Sequence, residues 1–230
     1  MAEFLYVSDV FCPWCFGFAP VLRRIEDRFR LPVRVLCGNL VDEPAQASSM
    51  GTPRLRAFFR RLADTTGREV GADFFRLLDG EGSAIMDSSR SCLLLHALKT
   101  LAPGHELEQM EAFQEAFYLR GEDVLSPEIK CRIASRWLED AAALPRAMQD
   151  AAVIRAAGEE MALAEDLLGD FVVYPTLFVR EGGGAWQAVA RGWAPFEKVR
   201  AAVLAARAGT PEAAADAGAV HACGLDGTCS

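Results

Sequence analysis

The sequence predicts an α/β protein that runs strand, helix, strand, then a long helical insertion, then strand, strand, helix. Three observations predict it. Short apolar runs suited to buried strands occur near the two ends, at residues 4–7 and 33–37 and again at 175–180 and 186–190. Between about 43 and 168 a helical period replaces them. The first two runs are separated by one helix, a crossover that makes the strands a parallel, right-handed pair.

Each element has a local reason. F-L-Y-V at 4–7 does not alternate, so it reads as a strand buried on both faces. From Pro13 onward Phe16, Ala19, Leu22, Ile25 and Phe29 recur at threes and fours, and Pro32 ends the helix. V-R-V-L-C at 33–37 is the second strand. Inside the insertion Ser126-Pro127-Glu128 is a helix start: an N-cap serine, a proline whose missing N–H is harmless, and an acid that suits the dipole. Ile129, Ile133 and Trp137 follow on one face. Leu107, Met110, Phe113 and Phe117 form a second apolar stripe, and Ile154, Ala157, Met161, Ala164 and Leu168 a third that Gly169 ends. P-T-L-F-V-R and the strand at 186–190 flank E-G-G-G, which suits a hairpin turn. A last helix spans about 195–207. The expected division is an α/β domain from 1–42 and 169–208, an all-helical insertion at 43–168, and a flexible cysteine-containing tail at 209–230.

Composition removes several classes of function. With 230 residues and 51% apolar content the chain can bury a large core. A net charge of -8 spread along it argues against nucleic acid, which needs a concentrated basic surface. No apolar stretch is long enough to cross a bilayer, and the start lacks the basic and apolar regions of a secretory signal, so the expected location is the cytoplasm, with no membrane partner.

Seven cysteines are present, and Cys12 and Cys15 stand out within F-C-P-W-C-F-G-F-A-P. Cysteines at i and i+3 of a helix start lie on one face, close enough to bridge. Cys12 falls at the strand-to-helix junction, where unpaired amides and the positive dipole end favour a thiolate and lower a thiol pKa from about 8.5 to between about 3.5 and 7.5. Cys12 is thus expected to be the nucleophile, and Cys15, a turn inside and flanked by Phe16 and Phe18, the more buried resolving thiol. Pro13 suits the first helical turn, and Trp14 shields the sulfurs and offers an apolar surface to substrate. A zinc site would need two further ligands, and no metal is expected there.

These residues resemble the active-site helix of the thioredoxin superfamily, including the helix-kinking Pro20, and V-Y-P-T-L-F-V at 173–179 is similar to that superfamily's cis-proline loop. The helical insertion is what the DsbA family has. Y-V-S-D-V-F-C-P-W-C-F-G-F-A-P-V-L, E-A-F-Y-L-R-G-E-D-V and A-R-G-W-A-P resemble cytosolic DsbA-like proteins regarded as protein-disulfide isomerases. The resemblance implies a thioredoxin fold with a large helical insertion. It implies a cis bond before Pro175 standing opposite Cys12, and a Tyr174 backbone that pairs with substrate. The activity it implies is thiol-disulfide exchange on disulfide-containing protein or small thiol substrates, through a CPWC dithiol and without a dissociable cofactor. A cellular reductant such as thioredoxin or glutathione would recharge it, and a cytosolic poise favours reduction or isomerisation. Two rivals remain open: a glutathione-dependent transferase or isomerase of the kappa-class or 2-hydroxychromene-2-carboxylate isomerase type, and a non-catalytic peptide-binding module.

Other residues carry open readings. Asp9 either relays a proton to Cys15 or caps the helix or strand end. Cys37, Cys92 and Cys131 read as small core residues, His96 as a satisfied helix histidine and His105 as a surface residue. Cys223 and Cys229 in the tail could pass electrons to the Cys12 pair, form an idle disulfide, or hold a metal with His221.

Overall fold

The computed structural model describes residues 2–209. In chain order the elements are β1 (Ala2–Ser8), α1 (Pro13–Phe29), β2 (Val33–Cys37), β3 (Ala45–Gln46), a 3-10 turn (Ala47–Met50), α2 (Pro53–Thr66), α3 (Ala72–Leu78), β4 (Ile85–Met86), α4 (Ser88–Leu101), α5 (Glu106–Arg120), α6 (Pro127–Ala134), α7 (Ala143–Ala147), α8 (Ala151–Leu168), β5 (Thr176–Glu181), β6 (Gln187–Arg191) and α9 (Phe196–Arg207). The main sheet has the order β2-β1-β5-β6. β1 pairs parallel with β2 and antiparallel with β5, and β5 pairs antiparallel with β6. The non-alternating 4–7 run is explained by this position: β1 is a central strand, buried from Phe4 to Ser8. The E-G-G-G hairpin turns through Gly182 and Gly183, both at positive φ (60° and 77°), where glycine avoids the Cβ clash.

The insertion departs from the all-helical expectation in one detail. β3 and β4 pair antiparallel, with Ala45 opposite Met86 and Gln46 opposite Ile85. Two residues per strand are too few to leave a period in the sequence. α6 stops at Ala134, so Trp137 falls beyond it rather than on its face. On α8 the Ala157, Ala164 and Leu168 positions are buried as expected, but Ile154 is 48% exposed, because in the first turn it is the neighbouring Val153 that packs against the core.

β2 lies at the edge of the sheet, and the structure closes that edge with acids. The N–H groups of Val33, Val35 and Cys37 donate to Glu26 Oε1 (2.9 Å), Glu106 Oε2 (2.6 Å) and Glu160 Oε1 (3.4 Å), carried by α1, α5 and α8. Lys99 of α4 donates to the Val35 carbonyl at 2.6 Å and to Glu160 at 2.5 Å. Backbone groups that would recruit a foreign strand are thereby satisfied. The other junction between sheet and insertion is apolar. Phe11 meets Phe117 of α5, Trp14 meets Phe58 of α2 and Phe16 meets Tyr118 of α5 in edge-on and tilted aromatic pairs, and Phe59 of α2 and Phe74 of α3 pack behind these rings. Buried residues of both parts run together in one core cluster.

Candidate functional site

The site grows from the turn between β1 and α1. Cys12 is the N-cap of α1, in extended backbone at φ -85° and ψ 113°, and Pro13 takes the first helical position. The Cys15 N–H donates to Cys12 Sγ at 3.4 Å, and the Phe16 N–H to the Cys12 carbonyl at 3.1 Å. A thiol therefore stands where a serine or aspartate cap usually does. The β1–β5 register ends with Val7 opposite Thr176, so Pro175, the residue before β5, leaves the sheet at the end where β1 runs into the turn that leads to Cys12. The Tyr174–Pro175 peptide bond is cis. Tyr174 is anchored by its hydroxyl, which accepts the Asn39 N–H at 3.0 Å.

Comparison with solved structures gives this arrangement its relatives. A candidate protein disulfide isomerase from Nitrosomonas europaea superposes with a TM-score of 0.70 at 21% identity, over 90% of this chain and 98% of that one. The cytosolic disulfide reductase DsbM from Pseudomonas aeruginosa, solved with GSH, gives 0.68 at 21%, over 90% and 99%. A probable DsbA oxidoreductase from Streptomyces coelicolor gives 0.66 at 21%, over 100% and 99%. The chain has the DsbA-like thioredoxin fold. No protein-family model and no curated protein matches it.

On this DsbA-like fold the electrostatics of the site differ from the sequence expectation. Cys12 and Cys15 are equally buried, neither exposing any surface. Burial pushes the Cys12 thiol well above the ordinary thiol range, the facing Cys15 thiol and Asp9 push the same way, and only the Cys15 amide opposes them. The expected lowering of the Cys12 pKa is thus corrected for this closed arrangement: one amide bond at a helix mouth does not offset complete desolvation. Pro13, Trp14 and Tyr174 are buried as well, Trp14 with its ring edge-on to Phe58.

Asp9 does not cap α1, because Cys12 does. Its Oδ1 accepts the Phe11 N–H at 2.7 Å and its Oδ2 the Leu40 N–H at 3.1 Å, so it ties the β1–α1 turn to the chain after β2. Burial raises its pKa to about 6, against the hydrogen bonds from Ser88, Leu40 and Phe11 that favour the charged form. A fully buried carboxyl that titrates at about 6 close to the Cys12 thiol can store and return a proton.

Three further residues at the site carried no expectation. Tyr6 lies beside Ser8 and Cys15, its buried hydroxyl without a well-aligned hydrogen bond. Burial, chiefly, raises its pKa well above the ordinary tyrosine value. The period of two in β1 puts Tyr6 and Ser8 on one face, which is the signal that could have found it. From α5, Gln114 donates to the Asp9 carbonyl at 3.1 Å and Tyr118 to the Phe11 carbonyl at 2.5 Å, two residues one helical turn apart that hold the β1–α1 turn.

The remaining cysteines and histidines separate. His96 contacts Glu160 at 2.7 Å, and His105 contacts Glu108 at 3.1 Å. Cys37 and Cys92 are buried and Cys131 is partly so. Cys223, Cys229 and His221 lie outside the described residues.

Proposed function

We propose that this protein is a thiol-disulfide oxidoreductase in which Cys12 attacks a substrate disulfide and Cys15 resolves the product. The observation that carries this reading is a cysteine as the N-cap of α1, its sulfur accepting the amide of a second cysteine one turn on. The fold it shares with disulfide oxidoreductases supports the reading. Cys12 thiolate attacks one substrate sulfur, the substrate S–S bond breaks, and the other sulfur leaves as thiolate. Cys15 then attacks the Cys12 sulfur, closing the internal disulfide and releasing the reduced substrate with two electrons. Asp9 takes the proton that Cys15 gives up and returns it to the leaving thiolate.

Both sulfurs are covered, so the first event is the uncovering of Cys12. Hydration removes the cause that raises its pKa, while the Cys15 amide and the helix end remain to favour the thiolate. Tyr174 offers its backbone to the substrate strand, and Pro13 and Trp14 flank the opened sulfurs. The direction we assign is reduction or isomerisation of protein or small disulfides in the cytoplasm, recharged by thioredoxin or glutathione. The description of the Pseudomonas aeruginosa neighbour as a cytosolic disulfide reductase, solved with GSH, favours it.

Insulin reduction and reactivation of scrambled ribonuclease test the reading on the intact chain, on Cys12→Ser and on a truncation before Val220. Loss of both activities in Cys12→Ser is expected, and full activity without that sulfur overturns the mechanism. Glutathione-dependent conjugation or isomerisation by Cys15→Ser would favour the transferase reading. Slower turnover in the truncation would assign the tail cysteines an electron-passing role.

A further inference from the structure

A second pair of thiols stands behind the site. Cys37 is the last residue of β2 and Cys92 sits in the second turn of α4, so one belongs to the sheet and the other to the insertion. Both are buried, at 1% and 2% exposure. Their side chains interact with each other. The Cys92 thiol also donates to the carbonyl of Gly38, the residue next to Cys37, at 3.1 Å. Two sulfurs of different elements are thereby held against one short stretch of backbone.

That stretch is the floor under the cis-proline loop. Gly38 packs so closely on the Tyr174 ring that a Cβ there would run into it. Asn39 donates its N–H to the Tyr174 hydroxyl at 3.0 Å. The Gly38 N–H donates to the carbonyl of Ser8, the last residue of β1 before the turn into α1, at 2.6 Å. A covalent link between Cys37 and Cys92 would fix residues 37–39 to α4, and with them the seat of Tyr174.

We propose that Cys37 and Cys92 form a second internal disulfide when the protein meets peroxide, tying the sheet to the insertion beneath Tyr174. Peroxide oxidises one thiol to a sulfenic acid and leaves as water. The other sulfur attacks that sulfur, the S–O bond breaks, and a second water departs with the remaining thiol proton. Two thiols and one peroxide thus give one disulfide and two waters, the two electrons passing to the peroxide oxygens. A small neutral oxidant can reach sulfurs that a protein disulfide cannot. Burial keeps Cys92 protonated, which makes the pair slow to react and confines its oxidation to excess peroxide. The inference stands apart from the role given to Cys12 and Cys15.

The test uses the full-length Cys12→Ser, Cys15→Ser variant, reduced, freed of reductant, treated with excess hydrogen peroxide, and alkylated after unfolding. Peptide mapping is expected to find Cys37 joined to Cys92 and both lost from alkylation. The Tm is expected to rise on oxidation, and adding either Cys92→Ala or Cys37→Ser to that variant is expected to remove the rise. The proposal is overturned if both sulfurs remain alkylatable, or end as unlinked sulfinic acids, at a peroxide excess that fully oxidises Cys12 and Cys15 in the intact protein.

Discussion

Cys12 with Cys15, and Cys37 with Cys92, are equally deep in the protein, yet their surroundings have opposite polarity. Cys12 Sγ accepts a backbone amide at the mouth of a helix, whereas Cys92 Sγ donates to a backbone carbonyl. An N–H aimed at sulfur favours the thiolate, and a C=O favours the thiol. Burial opposes ionisation of Cys12 and of Cys92 alike, so in the proposed mechanism the sign of the neighbouring dipole is what separates the nucleophile from the thiol at rest. The first pair is made by a spacing of three residues at the start of one helix, and the second by the packing of an insertion on a sheet.

Removing one sulfur from each pair gives the largest contrast. Cys12→Ser is expected to bring insulin reduction down to the uncatalysed background, while Cys92→Ser retains most of the rate. Equal losses in the two variants would end the distinction between the pairs.

The next effect lies in the aromatic core of the insertion, behind the rings that meet Trp14 and Phe16. Phe74 of α3 is fully buried and meets Phe59, Phe117 and Tyr118 at ring-centroid distances of 5.0, 5.3 and 5.1 Å. Phe74→Ala is expected to cost about 3–5 kcal/mol in urea unfolding. A cost under about 1 kcal/mol would mean that this aromatic cluster does not hold α2, α3 and α5 together.

Asp9 gives the comparison a pH axis. Its carboxyl titrates at about 6 in the folded protein against an ordinary 3.8, with burial the chief cause. Between those values the folded protein keeps a proton that the unfolded chain has released, so stability falls as pH rises through the window. Relative to Asp9→Asn, the native protein should lose on the order of 2 kcal/mol between pH 4 and pH 7. Denaturation of both proteins at several pH values checks this, and a constant difference contradicts it. In turnover, the inflection near pH 6 should vanish in Asp9→Asn if the carboxyl moves the proton of Cys15.

How far the sequence reaches follows the same division. Contacts made within one element were legible: the unbroken apolar run of β1, the Ser126 cap of α6, and the cysteine pair at the start of α1. Contacts made between distant elements were not. Cys37 and Cys92 each sit in an ordinary apolar pattern, and only the docking of α4 against the end of β2 brings them together. Gln114 and Tyr118 read as part of a helix until α5 is laid across the β1–α1 turn. The burial of Cys12 belongs to the same class, since spacing reports the helix mouth but not what covers it.

The smallest of these effects concerns how α1 tolerates Pro20. A proline four residues on cannot donate to the Phe16 carbonyl, and its ring pushes that carbonyl aside. Arg68, just beyond α2, supplies the missing donor: its Nη1 bonds the Phe16 carbonyl at 2.9 Å. The guanidinium lies 4.0 Å from the Phe16 ring centroid and is held by Glu111 at 3.3 Å and Glu115 at 3.0 Å. Arg68→Ala should therefore cost about 1–3 kcal/mol, the cost of leaving a buried carbonyl unpaired. The two residues should also be coupled. In the Pro20→Ala background the helix regains its own N–H for Phe16, so the same Arg68→Ala change should cost less. A double-mutant cycle measures the difference, and strict additivity would show that Arg68 acts through its ion pairs alone and not as the donor that Pro20 removed.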